Sequence, residues 1–403
     1  MNDSKLVPSF RFVEFKEGYT KNNLKELASF LKGKGYSKND IVNYGFPIIL
    51  YGRMYTNYRL NIKFINDTFV KNDKNSVKSV EGDVIIPASG ETAEDISIAS
   101  NIKRSGIIIG GDINIIRPDN KLIDSSFLAL VLSNGKVKQQ IAKRAQGKSI
   151  VHIHNTDLMS LKIYFPSLNE QQKIGDFFSK LDKLLDLQQQ KIDKLELLKK
   201  ALLQKLFPKH DAQIPELRFK GFEDDWQEKK LSHVVDIIMG QSPSSTNYYD
   251  TPIENSMILI QGNADIKHHN VKPRIWTTQI TKIAIPKDVL LTVRAPVGEV
   301  AKNKYEAVIG RGMAALRGND FLYYNLEKLK EVGYWERLST GSTFESISSN
   351  DIRDTKIKIP SCKEQKKVYN LLSKVDQLIE LENQKLQNFQ QVKKCLLQNM
   401  FVE

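Results

Sequence analysis

The sequence predicts an α+β chain: two globular blocks of mixed α/β structure separated by two long antiparallel coiled-coil helices, the whole repeating with pseudo-two-fold symmetry. Three observations predict it. A stretch of about forty residues recurs in the second half of the chain. That stretch carries two interleaved seven-residue apolar series. The segments between the recurrences hold short apolar runs bounded by turn residues, the pattern of strands. The division expected is a first block over 1–163, a first repeated helix over 164–207, a second block over 208–357 and a second repeated helix over 358–403.

The repeat is explicit. Phe165-Pro166-Ser167-Leu168-Asn169-Glu170-Gln171 returns as Ile359-Pro360-Ser361-Cys362-Lys363-Glu364-Gln365, an offset of 194 residues that holds without a gap to Phe207 and Phe401. A shorter match opens each half: Pro8-Ser9-Phe10-Arg11-Phe12 returns as Pro215-Glu216-Leu217-Arg218-Phe219, offset 207. Between the matches the likeness thins. Ile109-Gly110 and Arg117 align with Ile309-Gly310 and Arg317, and Gly147 and Asp157 with Gly341 and Asp351.

Each repeated tail predicts a helix of about 38 residues, about 57 Å long at 1.5 Å per residue. From Glu170 to Phe207 there is no proline, and Gly175 is the only glycine. Ile174, Leu181, Leu195 and Leu202 form one heptad series, and Phe178, Leu185, Ile192 and Leu206 the other. Polar residues interrupt the seam at Gln188 and Lys199, and Glu382 and Lys393 interrupt its copy at the same places. Polar seam residues at matched positions set register between two specific helices. The Pro-Ser before Glu-Gln supplies an N-cap with an acidic first turn. Pairing of the two helices within the chain buries both seams. Recruitment of separate partners, or dimerisation through the helices, is the alternative.

In the blocks, Gly82–Pro87, Lys287–Thr292, Ile107–Gly111 and Val308–Gly312 read as strands. Phe127–Leu132 and Tyr323–Leu329 read as helical, and Pro208–Ile214 as a polar hinge.

Composition narrows the class. The 403 residues are 40% hydrophobic and 27% charged, which excludes disorder over the whole length. No apolar run approaches the roughly 18–20 residues of a membrane helix, and the first residues show no signal peptide. Two cysteines, Cys362 and Cys395, are too few for a disulfide framework, so a reducing cytoplasm is expected. The net charge is +13 and the pI near 9.3, which points to a polyanionic partner, nucleic acid above all. Eight Lys against six acids in the first helix, and six against four in the second, leave +9 on the rest of the chain. Salt-sensitive phosphate contact is therefore expected mostly from the blocks.

No catalytic constellation stands up. Gly147-Lys148-Ser149 resembles the end of a phosphate-binding loop, but Ala142 occupies the place of its first glycine. His152-x-His154 has no Cys or carboxylate cluster beside it, and His268-His269 would point to opposite faces of a strand. No Asn-Pro-Pro-aromatic motif, no glycine-rich nucleotide loop and no Pro-Asp followed by Glu-x-Lys appears; Glu14-Phe15-Lys16 stands alone. By elimination the chain binds rather than catalyses.

These residues resemble the specificity (S) subunit of type I restriction-modification systems, over essentially the whole length. The most specific element is the duplicated Pro-Ser-x-x-Glu-Gln followed by a Leu/Lys-rich helix ending at Leu203–Phe207 and Leu397–Phe401. A Gly-Ser/Thr step before a short strand reads Gly147-Lys148-Ser149…Ile153 and Gly341-Ser342-Thr343…Ile347. The second block carries Gly240-Gln241-Ser242-Pro243-Ser244…Tyr248-Tyr249, similar to a Gly-x-x-Pro-Ser…Tyr-Tyr segment of that family. The first carries Gly33-Lys34-Gly35-Tyr36-Ser37-Lys38…Tyr44-Gly45-Phe46-Pro47-Ile48…Tyr51-Gly52, so the two blocks look like different subtypes.

The resemblance implies that each block is a target-recognition domain reading half of a split sequence in double-stranded DNA. It implies that the helices form the spacer, and that the chain is not an enzyme on its own. Two modification (methyltransferase) subunits and the restriction (translocase/nuclease) subunits would be partners, with no membrane involved. It implies no cofactor in this chain: S-adenosylmethionine, ATP and Mg belong to the partners. Partner contacts on the helices are expected at Glu170, Gln171, Leu181, Leu202, Glu364, Gln365 and Leu396. A spacer of about 57 Å matches about 17 base pairs of duplex, and dissimilar blocks predict an asymmetric target. Base-contacting candidates, by residue type and loop position, are Lys34, Arg53, Ser89, Glu91 and Lys148 in the first block and Gln261, Asn263, Arg274, Arg294 and Thr343 in the second. A scaffold joining two protein partners is the rival reading; salt-sensitive retardation of duplex DNA separates the two. A stand-alone nuclease or methylase would have to show activity without partners.

Overall fold

The structure, a computed structural model, describes residues 7–56, 58–74, 76–147, 149–267, 269–339 and 345–402. Lys148, His268 and Thr343 lie outside the described residues, as does the rest of 340–344. The chain divides into two compact units: Met1–Gln190 with Gln384–Glu403, and Lys191–Asn383. Each unit thus takes one block together with part of each long helix. The helices are not domains of their own, as the four-segment division expected; their apolar seams are part of the unit cores.

In unit 1 a five-stranded sheet runs, in spatial order, Ala28–Lys32, Ile113–Pro118, Val84–Pro87, Ser100–Ile102, Asn61–Ile62. A second sheet runs Ile41–Val42, Phe69–Val70, Phe46–Ile49, Ile108–Ile109, Val77–Lys78. Unit 2 repeats the plan with Asp236–Met239, Met313–Arg317, Val289–Thr292, Val300–Lys302, Asn270–Val271 and an added Ile266–Lys267. Its second sheet is Tyr248–Tyr249, Ile275–Thr277, Met257–Ile260, Ala307–Ile309, Ile283–Ala284. The two blocks, dissimilar in sequence, therefore share one strand order.

Alternation explains why the central strands read as continuous apolar runs. Val84, Ile86 and Ile116 pack into the core that also holds helix α1 (Ser125–Ser133), while Ile85 and Ile115 turn to the second sheet. Val289 and Leu291 against Leu290 divide the same way in unit 2, where helix α2 (Asp320–Glu331) covers the first face. A strand buried on both faces keeps no polar side. Both short helices are capped by a side chain: Phe127 N donates to Asp124 Oδ1 at 2.8 Å and Leu322 N to Asn319 Oδ1 at 3.2 Å.

The long helices are α3 (Leu168–Leu206, 39 residues) and α4 (Cys362–Asn399, 38 residues). They pair within the chain, antiparallel, in both units. In unit 1 Phe178 packs on Phe401 (ring centroids 6.3 Å apart) and Asp182 pairs with Lys393. In unit 2 Lys191 pairs with Glu382 at 2.8 Å and Lys199 with Asp376 at 2.7 Å. The seam residues Ile174, Phe178, Leu185, Ile192, Val368, Leu372 and Val375 are buried. The polar breaks are answered by charge: Lys199 and Lys393 each find a carboxylate on the facing helix, so they fix register as expected. Residues 208–214 carry neither helix nor strand.

The two families of repeats meet. Arg11 donates from Nε and Nη2 to both oxygens of Glu170 at 2.8 and 2.7 Å; Arg218 does the same to Glu364 at 2.9 and 3.0 Å. Each opening segment is thus clamped onto the start of the long helix of its own unit by a planar two-point ion pair. The hydrogen bonds to the carboxylates hold both guanidiniums above their ordinary range.

Candidate nucleic-acid interface

The glycines that begin and end the strands gather the candidates at one end of each unit. In unit 1 Gly33 N donates to Ile113 O at 2.9 Å and Lys34 N to Ile109 O at 3.1 Å; in unit 2 Gly240 N donates to Met313 O and Gln241 N to Ile309 O, both at 2.9 Å. A Cβ on Gly33 would stand 1.9 Å from Gly110 O, and one on Gly240 2.1 Å from Gly310 O. No side chain fits at either place, so backbone passes directly over backbone. The parallel ladders Ile48–Ile108 and Leu259–Val308 end beside these crossings. Ala88 N donates to Asp112 O at 2.7 Å and Val293 N to Gly312 O at 2.8 Å, which brings in the ends of Val84–Pro87 and Val289–Thr292. The result is a rim of four turns that share these backbone hydrogen bonds and differ in side chains.

The described base-contacting candidates fall on or beside this rim. Lys34 is exposed on the Gly33–Gly35 turn. Arg53 ends a short 3-10 helix, Tyr51–Arg53, and is tied to Asp67. Glu91 is exposed. Ser89 is 5% exposed and its carbonyl accepts from Tyr55 Oη at 2.5 Å, so its hydroxyl has no surface to offer a base; its loop position in the sequence hid a strand pairing with Val151–His152. In unit 2, Gln261 is half-buried, with its N–H on Asp265 Oδ2 at 2.7 Å, and Asn263 opens the 3-10 helix Asn263–Asp265. Arg274 Nε donates to the buried Asp265 at 2.9 Å. Arg294 is exposed, its backbone bridged to Ser346. Ser89 and Arg294 occupy equivalent places, two residues past equivalent strands.

The helix candidates need correction. Glu170 and Gln171 are each 1% exposed, and Glu364 and Gln365 are buried too. The glutamates hold Arg11 and Arg218. Gln171 donates to Pro166 O at 2.9 Å and accepts from Asp124 N at 2.8 Å; Gln365 donates to Pro360 O at 2.9 Å and accepts from Asn319 Nδ2 at 2.7 Å. The repeated Glu-Gln pair therefore locks helix to block and leaves little surface for a partner. Leu181 and Leu396 pack against the core of unit 1 and Leu202 against that of unit 2. The apolar side chains the helices do expose include Leu197 and, at positions that recur at the same offset, Leu184, Leu187 and Leu198 with Leu378, Leu381 and Val392.

Among the described residues no group of three His, Cys, Asp or Glu side chains is placed to hold a metal, and no helix is long and apolar enough to cross a membrane. His152 lies on a short strand and His154 precedes the helix Asn155–Met159.

The profile of the type I restriction modification DNA specificity domain matches residues 16–197 and again 223–391. Over 307 residues the chain is 31% identical to the putative type I restriction enzyme MjaX specificity subunit of Methanocaldococcus jannaschii, covering 72% of this chain and 70% of that one. Over 355 residues it is 24% identical to the type I restriction enzyme MjaVIII specificity subunit of the same organism, covering 83% and 81%. In fold it is similar to the S subunit of a type I restriction-modification system from M. genitalium, with a TM-score of 0.64 at 16% identity over 98% of this chain and 99% of that one. A chain from a type I R-M system studied for complex assembly gives 0.60 at 23% identity, over 95% and 97%.

Proposed function

The chain belongs to the type I restriction modification DNA specificity family, and from that premise we propose that the rim of each unit reads one half of a split, asymmetric DNA target. The membership makes it the non-catalytic DNA-recognition subunit of a type I system, with DNA, modification and restriction subunits as its partner classes. The observation that carries the proposal is the twofold occurrence of one backbone rim with two side-chain sets. Sequence is read by side chains at base edges, so one scaffold with different side chains reads different sequences.

Two modification subunits fit the exposed leucines, because Leu184 and Leu187 recur as Leu378 and Leu381 and give each unit its own apolar helix face. S-adenosylmethionine, ATP and Mg would be held by the partner subunits, and work on chromosomal DNA puts the complex in the cytoplasm. The residue count of α3 and α4 would set the number of base pairs between the half-sites, within about 17.

The test is a genome-wide map of methylated bases in a methylation-free host that expresses this chain with its cognate modification subunit, against the modification subunit alone. A split, asymmetric motif that depends on this chain is expected. No new motif, with both subunits co-purifying, rejects the reading. In the same assay Arg294→Ala relaxes the half-site read by unit 2 and spares the other; an unchanged motif removes Arg294 from the reading set.

A further inference from the structure

The rim holds arginines of two kinds. Arg53 and Arg274 are tied down: Arg53, on the 3-10 turn, pairs with Asp67, and Arg274 pairs with Asp265 on the 3-10 turn of unit 2. Register makes Asp67 and Arg274 equivalent, each two residues before the strand residue that faces Pro47 or Ile258. The same brace is thus built twice with its charges exchanged. A contact that survives reversal of sign serves the turn, so the pairing by itself marks neither arginine as a base reader.

Arg311 is of the other kind. Its backbone N–H donates to Ser242 Oγ at 3.0 Å. Gly310 N donates to Ile260 O, and Gly312 O accepts from Val293 N, both at 2.8 Å. The peptide is pinned on both sides, while the side chain is exposed and has no acceptor among the described residues. Gln241 stands beside it: its N–H is on Ile309 O at 2.9 Å, its carbonyl accepts from Thr281 Oγ1 at 2.5 Å, and its side chain is exposed. Unit 1 has Gly111 and Lys34 at these two places.

We propose that Arg311 is a specificity-determining residue of unit 2, its guanidinium donating two hydrogen bonds to N7 and O6 of a guanine, with Gln241 reading the adjoining base pair. The planar fork of arginine matches that acceptor pair, and a glutamine amide matches adenine N6 and N7. Gln241 decides between base and backbone. It carries no charge to draw a phosphate, but it presents a donor and an acceptor together. A stiff backbone matters because freezing a long side chain costs entropy, and less is lost when its root is already fixed. In unit 1 the arginine's place is empty of a side chain, so the half-site of unit 1 lacks this contact.

The inference rests on the DNA-recognition reading, and the test separates the two. Methylation by the complex of this chain with its cognate modification subunit is measured on a randomised duplex library for wild type, Arg311→Ala, Arg311→Lys and Gln241→Ala. Arg311→Ala is expected to relax one guanine position in one half-site, with discrimination falling about five- to 150-fold there, and to leave the other half-site intact. Arg311→Lys, which keeps the charge and loses the fork, relaxes the same position. Gln241→Ala relaxes the neighbouring one. Uniformly slower methylation at an unchanged motif for Ala, rescued by Lys, makes Arg311 a phosphate contact and overturns the inference while the DNA-recognition reading stands. Unchanged motif and rate overturn it as well. Absence of any motif for wild type rejects the underlying reading instead.

Discussion

The joint between sheet edge, short helix and long helix is built twice, from opposite chemistry. In unit 1 it is neutral: Asn101 Nδ2 donates to Asn61 Oδ1 and Ser126 Oγ, both at 3.0 Å, and Asn61 Nδ2 donates to Ser179 Oγ at 2.6 Å. In unit 2 the ladder position of Asn101 is taken by Lys302, which faces Asn270 as Asn101 faces Asn61. Its ammonium lies 4.3 Å from the ring centroid of Tyr323 and 4.8 Å from that of Tyr324, and 3.5 Å from Asp376. Tyr324 donates to Asp376 at 2.6 Å, and Lys199 lies 2.7 Å from Asp376 and 3.4 Å from Glu327. The backbone plan fixes where the joint is, and leaves open whether amides or ions fill it. The ionic version is the riskier one, because a buried charge must keep its partners.

The largest expected effect follows from that risk. Lys199→Ala removes the ammonium that Asp376 and Glu327 share, leaving Asp376 to Tyr324 and Lys302 and Glu327 to His269, and is expected to cost about 3 kcal/mol. Its repeat counterpart Lys393 serves Asp182 from a more exposed position, so Lys393→Ala is expected to cost about 1–2 kcal/mol. Denaturant unfolding of both variants checks this, and equal losses break the contrast. Next come Arg11→Ala and Arg218→Ala, where the units agree. Each is expected to cost about 2–3 kcal/mol, because each leaves a buried glutamate without its cation. A gap above about 1 kcal/mol between them would show that the clamp, too, differs between units.

Lys302→Asn imports the chemistry of unit 1 and is expected to cost only about 1 kcal/mol, read from the same unfolding curves. Burial already pushes the Lys302 ammonium below its ordinary range, only partly offset by Asp376, so the charge removed is one the site holds reluctantly. The smallest effect is a pH dependence. Burial alone would raise the Glu327 carboxyl, but His269 and Lys199 more than reverse this and hold it below its ordinary 4.5. A carboxylate depressed on folding stabilises above that value and loses its contribution as pH falls through its lower, folded value. Lys199 is pushed down by burial and raised further by Glu327 and Asp376, so its contribution is present at every pH below 10.5. Calorimetric melts should therefore show the stability gap between wild type and Glu327→Gln narrowing as pH drops below 4.5; a constant gap contradicts it.

The long helices were legible because seven-residue periodicity is local, and their starts lie within two residues of the expected Glu170 and Glu364. The antiparallel pairing was legible because pairing the two helices within the chain is the simplest way to bury both apolar seams. The clamp was half legible. Both of its motifs stood out as repeats, but at offsets of 207 and 194, because the connecting loops differ in length; nothing local says that Arg11 meets Glu170. The rim was least legible. Gly33 and Gly110 are ordinary glycines until two distant strand ends cross. Arg311 is absent from the sequence candidates for that reason, although Gly310-Arg311-Gly312 marks it as a side chain set between two close approaches. Ser89, a candidate by residue type and loop position, lies buried.

Unit 2 is one continuous stretch of chain, whereas unit 1 is closed by Gln384–Glu403. Phe401 packs between Phe127 and Phe178, and Phe10 N donates to Asn399 O at 2.9 Å. On a ribosome moving from the amino end, the first unit to be synthesised is therefore the last to be finished. Its apolar seam waits with Phe178 uncovered until residue 401 has emerged, while unit 2 can close as soon as residue 383 is free. A nonsense codon near residue 384 would spare the contiguous unit and leave the earlier-made one open, so the first unit is completed only after the second has been made.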